Sequence, residues 1–519
     1  MTPTDTQLGQ SGAPTPASDK LDRGVFLVAG VVVLGAIMSI LDITVVSVAL
    51  PTFQQEFDAS PAQVAWTMTG YTLALASVIP LTGWAADRFG TKRLYMLALL
   101  LFTLGSVACS LAWDVSSLVA FRVLQGLGGG MLMPLGMTIM TRAAGHDRIG
   151  RVMAVLGIPM LLGPIFGPIL GGWLIDAASW HWIFLINLPI GAAALVYAAI
   201  VLPKDSPTPS ETFDFVGMLL LSPGLALFLY GVSTIPETGT IADAEVLVPA
   251  VLGLGLVALF VGRSLAGRAD HPLIDLYLFR NRTLTIAVIA MALFAIAFFG
   301  ASLLFPSYFL QVRGEETLTT GWLLAPQGLG AMLTMPLAGV LADKIGPGKI
   351  VMSGLAVVTI GMAMFTQVGV DTSYMFLLGA LFVMGLGMGA TMMPMMTAAL
   401  QTLTDHNLAR GSTLMNIVQQ VAASIGTALF SVLLTTGFKD SPEVGMLQGA
   451  LASGQGPESL PDPSILPKAI ADMADAFSGS FLVATVLVGL CLVPAAFLPR
   501  SRPPAAADPS HEPVIHLPH

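Results

Sequence analysis

Fourteen apolar runs, each close to the length of a bilayer core and bounded by polar or Pro/Gly punctuation, fill most of this 519-residue sequence. They lie at 24–50, 61–82, 94–113, 115–141, 150–175, 181–202, 214–233, 246–265, 284–310, 320–341, 350–368, 373–399, 411–437 and 477–498. About 20 apolar residues carry an α-helix across a bilayer, and a helix satisfies its backbone polar groups where water is absent. The runs therefore predict an all-α polytopic membrane protein. Composition agrees: 10% of residues are charged, against about 25% in a soluble domain. The net charge of −9 and the lack of a basic patch argue against a nucleic-acid partner. Cys109 and Cys491 fall in apolar runs and read as small hydrophobes, with no disulfide framework and no metal set. Residues 1–23 are polar and Pro/Thr/Ser-rich, a disordered tail without the apolar core of a secretory signal. The first span must then act as the insertion signal, and 499–519 form a second tail.

An even number of spans puts both termini on one side. With the N-terminus inside, eighteen of the 22 Lys and Arg fall in inside segments. Only Arg313, Lys439 and Lys468 are outside, and Arg122 is within the membrane. The positive-inside rule then predicts cytoplasmic termini. The chain also repeats itself. Gly83-Trp-Ala-Ala-Asp87-Arg88-Phe-Gly90 returns as Gly339-Val-Leu-Ala-Asp343-Lys344-Ile-Gly346, and Gly126-Leu-Gly128 returns as Gly385-Leu-Gly387. Repeats of like orientation fit two halves related by an axis along the membrane normal. With six spans in each half, the expected divisions are a bundle at 24–202, a linker and inserted two-helix hairpin at 203–283, and a bundle at 284–498. The second bundle includes an outside loop at 438–475, with room for a short helical piece.

Two full charges stand at membrane depth, Asp42 and Arg122. A charge there costs at least ~2.5 kcal/mol, so each is a functional candidate in need of a partner. Asp42 precedes Pro51 by nine residues, and Arg122 follows the start of the fourth span near Val115 by about seven. At about 1.5 Å per residue both lie roughly 10–14 Å below the outer surface. Equal depth permits pairing; whether the side chains face one another is not readable. A carboxylate balanced between desolvation and a nearby arginine could load a proton on one side and release it on the other. The bland alternative is a static ion pair that fixes helix packing.

The motifs around these residues resemble those of the major facilitator superfamily, in particular its fourteen-helix drug:proton antiporter group, the QacA/EmrB-like exporters. Leu41–Pro51 (LDITVVSVALP) resembles the group's LDxTVVNVALP, with Ser47 in place of Asn. Gly83–Arg93 (GWAADRFGTKR) matches the loop signature GxLADRxGRKR, with Thr91 replacing a basic residue. Arg122–Gly130 (RVLQGLGGG) matches RxxQGxGxG, and Gly157–Gly172 (GIPMLLGPIFGPILGG) matches the fifth-helix antiporter motif. Trp180–Gly191 (WHWIFLINLPIG) is similar to WRWIFLINVPIG, with His181 replacing Arg.

The resemblance implies a major facilitator fold, two six-helix bundles plus a two-helix hairpin, working by alternating access. It implies proton coupling at Asp42 and Arg122. It implies a gating loop of Gly83, Asp87, Arg88 and Gly90, with Asp343 as the second copy, while Lys92 and Arg93 read as solvated charge. Asp87 could cap a helix or pair with Arg88 or Arg142. Gly163, Gly167 and Gly171 recur every four residues and line one face, which with Gly172 permits close packing, and Pro164 and Pro168 permit bending. The family architecture places the substrate cavity among the first, fourth, ninth and twelfth spans, with Phe294, Phe298, Met384 and Met388 as candidates, joined by Asn416 and Gln419 of the thirteenth. Aromatic rings attract lipophilic cations, and Met surfaces re-pack around varied ligands; packing alone also explains any one of these residues. The absence of a carboxylate from the last six runs favours monovalent or neutral lipophilic substrates and a single exchanged proton.

The expected function is proton-coupled multidrug efflux across a bacterial plasma membrane, or dedicated export of one natural product or lipid by the same machinery. The implied partners are small lipophilic substrates, protons and the bilayer. Some relatives act with a periplasmic adaptor and an outer-membrane channel, and whether this chain does is left open by the sequence, which does not reveal the cell envelope. The driving force is the proton gradient, with no cofactor. An enzyme is not expected: His146-Asp147 and His181 are edge-loop residues without a nucleophile or metal set, and no ATP-binding signature appears.

Overall fold

The computed structural model describes residues 23–500 apart from 146–147, 206–211, 239, 268–271, 404–406, 453–459 and 463, and without the side chains of 61–62, 158–162, 164–165, 168, 236–237, 317–318 and 451–452. The terminal tails, the His146-Asp147 pair and the side chains of Pro164 and Pro168 thus lie outside the described residues.

The chain is a succession of helices. The first part comprises α1 (Arg23–Glu56), α2 (Pro61–Phe89), α3 (Thr91–Ser110), α4 (Val115–Ala144), α5 (Ile149–Ala177), α6 (Trp182–Leu185) and α7 (Asn187–Val201). A hairpin follows, α8 (Phe215–Thr238) and α9 (Ala244–Leu265). Beyond it come α10 (Arg282–Phe294), a π-helical segment Ala295–Phe299, α11 (Leu304–Gln311), α12 (Thr317–Ile345), α13 (Pro347–Met364), α14 (Tyr374–Gly389) and α15 (Met392–Leu400). The chain closes with α16 (Leu408–Lys439), α17 (Pro442–Ala452), α18 (Ile465–Leu490) and α19 (Leu492–Ala495). Among the described residues, thirteen helical stretches are long and apolar enough to cross a membrane. The 29-residue α5, whose side chains are only partly described, falls within their range of 20 to 34 residues.

Polar residues at the run boundaries set the helix ends. Ser60 forms a capping box with Gln63, and Asp114 does the same with Ser117. Asn281 accepts the amides of Thr283 and Leu284 and starts α10. The repeat is visible in the backbone. Gly90, between α2 and α3, has φ 95° and ψ 143°, and Gly346, between α12 and α13, has φ 92° and ψ 141°. Positive φ at both corners is the conformation that glycine adopts without strain.

Several boundaries differ from the sequence reading. Helix α1 runs through Pro51 to Glu56, although an interior proline forfeits one backbone hydrogen bond. The ninth run is interrupted by the π segment, the twelfth at Ala390-Thr391 and the sixth at Ile186. Helix α18 begins at Ile465, twelve residues before the run at 477, and α17 occupies part of the expected outside loop. The early start brings Asp472 and Asp475 into a helix of the last six spans, and Asp343 lies in the last turn of α12. The expectation that no carboxylate stands in these helices is therefore corrected, and the proton count drawn from it falls with it.

Helices α1 to α7 pack among themselves, with close pairs α1–α5, α2–α4 and α3–α4, as do α10 to α19, with α12–α14 and α13–α14. Two seams join these groups, α2 against α16 and α5 against α12. Helix α8 pairs with α9 and touches both α2 and α16.

Candidate functional site

Asp42 lies midway along α1, 2% exposed, and Arg122 lies two turns into α4, with no exposure at all. The structure brings them together: Arg122 Nη1 donates to Asp42 Oδ2. Two further amides complete the site. Gln125 Nε2 donates to Asp42 Oδ1 over 2.7 Å, and Asn187 Nδ2, at the start of α7, points at the same oxygen over 3.4 Å. Arg122 also donates to Gln125 Oε1 (2.8 Å) and, through Nε, to the Thr67 carbonyl (3.1 Å). Its guanidinium lies 4.1 Å from the centroid of the Tyr71 ring, whose hydroxyl pairs with Ser39. Asn187 is held by Ser106 Oγ (3.0 Å), which donates to the Phe184 carbonyl. Five helices thus surround one carboxylate. A buried ion pair is stable only when the remaining lone pairs and N–H groups are occupied; here Asp42 has both oxygens engaged, while Arg122 Nη2 is buried without a hydrogen-bond partner among the described residues.

The glycines of the fifth-helix motif face the same helix. A Cβ on Gly163 would strike Ile40, one on Gly167 would strike Thr44, and one on Gly171 would stand 3.1 Å from the Val45 carbonyl. Thr44 Oγ1 also donates to the Gly163 carbonyl over 3.1 Å. The glycine face of α5 is therefore laid on α1 at the turns flanking Asp42, while Gly172 has open space around it.

The loop motifs meet across the seams. Asp87 is buried at the end of α2, 3.7 Å from Arg142 of α4 and 4.0 Å from Arg410 of α16. A Cβ on Gly83 would lie 3.3 Å from Thr413 of α16. Asp343, its counterpart in the repeat, accepts the Gly150 amide (2.8 Å) and the Arg151 amide (3.2 Å), so it caps α5 from the far side of the seam. Arg88 ends α2 next to the Gly90 corner. The Gly90 corner is filled from the linker: Asp205 accepts the Lys92 and Arg93 amides at the start of α3 (2.8 and 3.1 Å). Lys92 is not merely solvated, since its ammonium donates to the Ala199 and Leu202 carbonyls, the C-terminal end of α7 (2.7 Å each).

Of the cavity candidates, Phe294 and Gln419 line a small cleft of about 10 Å³, room for about one water, together with Met291, Phe299, Met392 and Met396. Phe298 is buried and stacks on Phe294, 5.1 Å between centroids. Met384 packs against Gly361 of α13, and Met388 is buried on the same helix. Asn416 donates to the Met137 thioether of α4 over 3.2 Å.

Gln125, Asn187, Tyr71, Arg410 and Asp205 were not singled out from the sequence. Gln125 had a readable signal, since a residue three after Arg122 shares its helix face. Asn187 is an amide inside an apolar run, which must seek a protein partner. Asp205, in a polar linker, carries no such signal.

A sequence-family model described as Major Facilitator Superfamily matches residues 32–427. A "Multidrug resistance protein B homolog" of Mycobacterium tuberculosis (strain ATCC 25618 / H37Rv) is 51% identical over 496 residues, covering 93% of this chain and 92% of its own. A "Putative multidrug resistance protein MdtD" of Escherichia coli O7:K1 (strain IAI39 / ExPEC) is 30% identical, covering 78% and 85%. Among solved structures, the human organic anion transporter MFSD10 (TETRAN) superposes with a TM-score of 0.60 at 15% identity, covering 89% of this chain and 99% of its own.

Proposed function

The chain belongs to the Major Facilitator Superfamily, so it is a multi-pass transporter of small substrates and not an enzyme, and on that premise we propose that it is a proton-coupled multidrug antiporter. Its substrates would be lipophilic compounds, cationic or neutral, exported across a bacterial plasma membrane with both termini in the cytoplasm. Relatives named for multidrug resistance, one of them about half identical, support the export of drugs. The observation that carries proton coupling is the Asp42–Arg122 pair, fully enclosed and held by residues of α1, α2, α4 and α7. A carboxylate so placed must be either ionised against Arg122 or neutral, and that choice is a proton-binding event. Protonation frees the Arg122 charge inside the bundle, and a bundle with an unpaired charge favours a different packing. A proton moving down the potential supplies about 2.3 kcal/mol per 100 mV.

In this cycle Asp87 with Arg410 and Asp343 with the α5 N-terminus close the end of the molecule rich in basic residues. The Met/Phe cleft with its one amide, Gln419, has room for about one water as it stands, so a lipophilic ligand would enter only as the surrounding methionines re-pack. The test is gradient-driven efflux of a lipophilic cationic dye from everted vesicles. Asp42→Asn is expected to abolish gradient-driven transport and to retain dye binding. Unchanged transport in Asp42→Asn removes the residue from the coupling step. A folded parent that moves no dye points to a dedicated exporter with a narrow cavity.

A further inference from the structure

One side chain touches both members of the ion pair, and its chemistry is directional. Gln125 donates from Nε2 to Asp42 Oδ1 over 2.7 Å and accepts at Oε1 from Arg122 Nη1 over 2.8 Å. The partners dictate this orientation, because a guanidinium only donates and an ionised carboxylate only accepts. The amide therefore stands in the one orientation that suits an ionised Asp42.

A proton on Asp42 reverses the demand. Oδ2 faces the guanidinium, so the proton settles on Oδ1, which then carries an O–H in need of an acceptor. Two amides face it. Asn187 Nδ2 also donates to Ser106 Oγ, and the only Ser106 hydrogen is spent on the Phe184 carbonyl. Turning Asn187 over would set its oxygen against an oxygen with no hydrogen to give. Turning Gln125 over brings Oε1 to the new O–H and sets its NH₂ against Arg122 Nη1, donor against donor. Arg122 then loses the Asp42 charge and the Gln125 acceptor together, and keeps the Thr67 carbonyl.

We propose that Gln125 is a positioning residue whose amide turns over when Asp42 binds a proton, so that release of Arg122 is conditional on protonation. The proposal rests on the reading of Asp42 as the proton carrier. The charged or titratable groups facing Asp42 are Arg122 on α4, Tyr71 on α2 and Cys109 on α3, while α7 presents Asn187. The Tyr71 hydroxyl is paired with Ser39.

Cys109 supplies the reporter. Its thiol donates to Gln125 Oε1 over 3.6 Å, so a turned amide deprives the S–H of its acceptor. The other thiol, Cys491, bonds the Leu487 carbonyl and is removed by Cys491→Ala. Infrared difference spectra of this variant are recorded in lipid vesicles during acidification, with Asp42→Asn as the reference that identifies the Asp42 carboxyl band. The expected result is a rise of that C=O band and, in step with it, a shift of the Cys109 S–H stretch to the higher frequency of an unbonded thiol. Gln125→Met, close in volume, should keep the carboxyl band and lose the S–H shift. A carboxyl band that rises while the S–H stretch stays fixed overturns the amide switch and leaves the proton carrier standing. A carboxyl band that never rises overturns the reading of Asp42, and the switch with it. The parent titration alone separates these outcomes, whether or not Gln125→Met folds.

Discussion

Arg122 has lost all contact with solvent, and what replaces water is a short inventory: the Asp42 carboxylate, the Gln125 and Thr67 oxygens, and the face of Tyr71. Removing one partner from such a set leaves the other charged and unsatisfied, at a cost of about 3–5 kcal/mol. Arg122→Met should therefore lower the unfolding midpoint in detergent sharply, and Arg122→Met combined with Asp42→Asn should recover most of the loss. If the double variant is as unstable as the single one, Arg122 stabilises the bundle through packing and not through the pair. The sequence made Asp42 and Arg122 legible because charges at membrane depth are rare, and it made their depths comparable because helical rise is fixed. It could not make their facing legible, since the rotation of each helix is set by neighbours such as Gly163 and Gly167 on α5. Nor could it rank Asn187, whose role depends on Ser106 and Asp42 converging on it from two other helices.

Helices were read well where an apolar run ends at a capping residue, as at Ser60, Asp114 and Asn281. They were read poorly where helix and apolarity part company. The first turns of α18 carry Lys468, Asp472 and Asp475, so they looked like loop, although Asp472 accepts from Ser441 over 2.6 Å and Lys468 bonds Glu443 of α17. The π segment Ala295–Phe299 is apolar throughout and gives no signal at all. It lies where Gly300 and Gly426 bring α16 against that backbone so closely that a Cβ on Gly300 would lie 2.5 Å from the Gly426 carbonyl carbon. The most consequential element contact is the capping of α5 by Asp343 from α12. Loss of a capping carboxylate costs about 1 kcal/mol, roughly a fivefold rise in the parted population of the seam. A cysteine at Met335, which packs against Gly157 of α5, should accordingly be alkylated several-fold faster from the basic side in Asp343→Ala than in its parent. Equal labelling rates would mean that the cap does not hold the seam.

At the scale of the whole molecule, the internal repeat was readable as a pair of loop motifs, and the near-identical corners at Gly90 and Gly346 are its backbone signature. The hairpin α8–α9 was locatable from the excess of helices between the copies, but its seat was not. Residues that face lipid and residues that face another helix are alike apolar in a membrane, so nothing in 214–265 announces that α8 touches both α2 and α16. That seat places the hairpin across one seam, and leaves α5–α12 as the seam on which parting can be tested without disturbing it. Gly150 and Gly339 meet there backbone to backbone, and Ala154 Cβ lies 3.0 Å from where a Cβ on Gly339 would stand. A disulfide needs Cβ atoms about 3.5–4.5 Å apart, and a Cβ on Gly339 would also stand 2.5 Å from the Gly150 carbonyl oxygen, so α12 must move outward to admit the pair and the single variant Gly339→Cys is the control for that movement. The native thiols are both buried and do not compete. The double variant Ala154→Cys/Gly339→Cys should transport dye when reduced, stop when oxidised and recover with reductant, while each single variant stays indifferent to oxidant. Transport that survives a fully formed cross-link would mean that substrate crosses without this seam ever opening, and the rocking of two halves would have to give way to a mechanism confined to one of them.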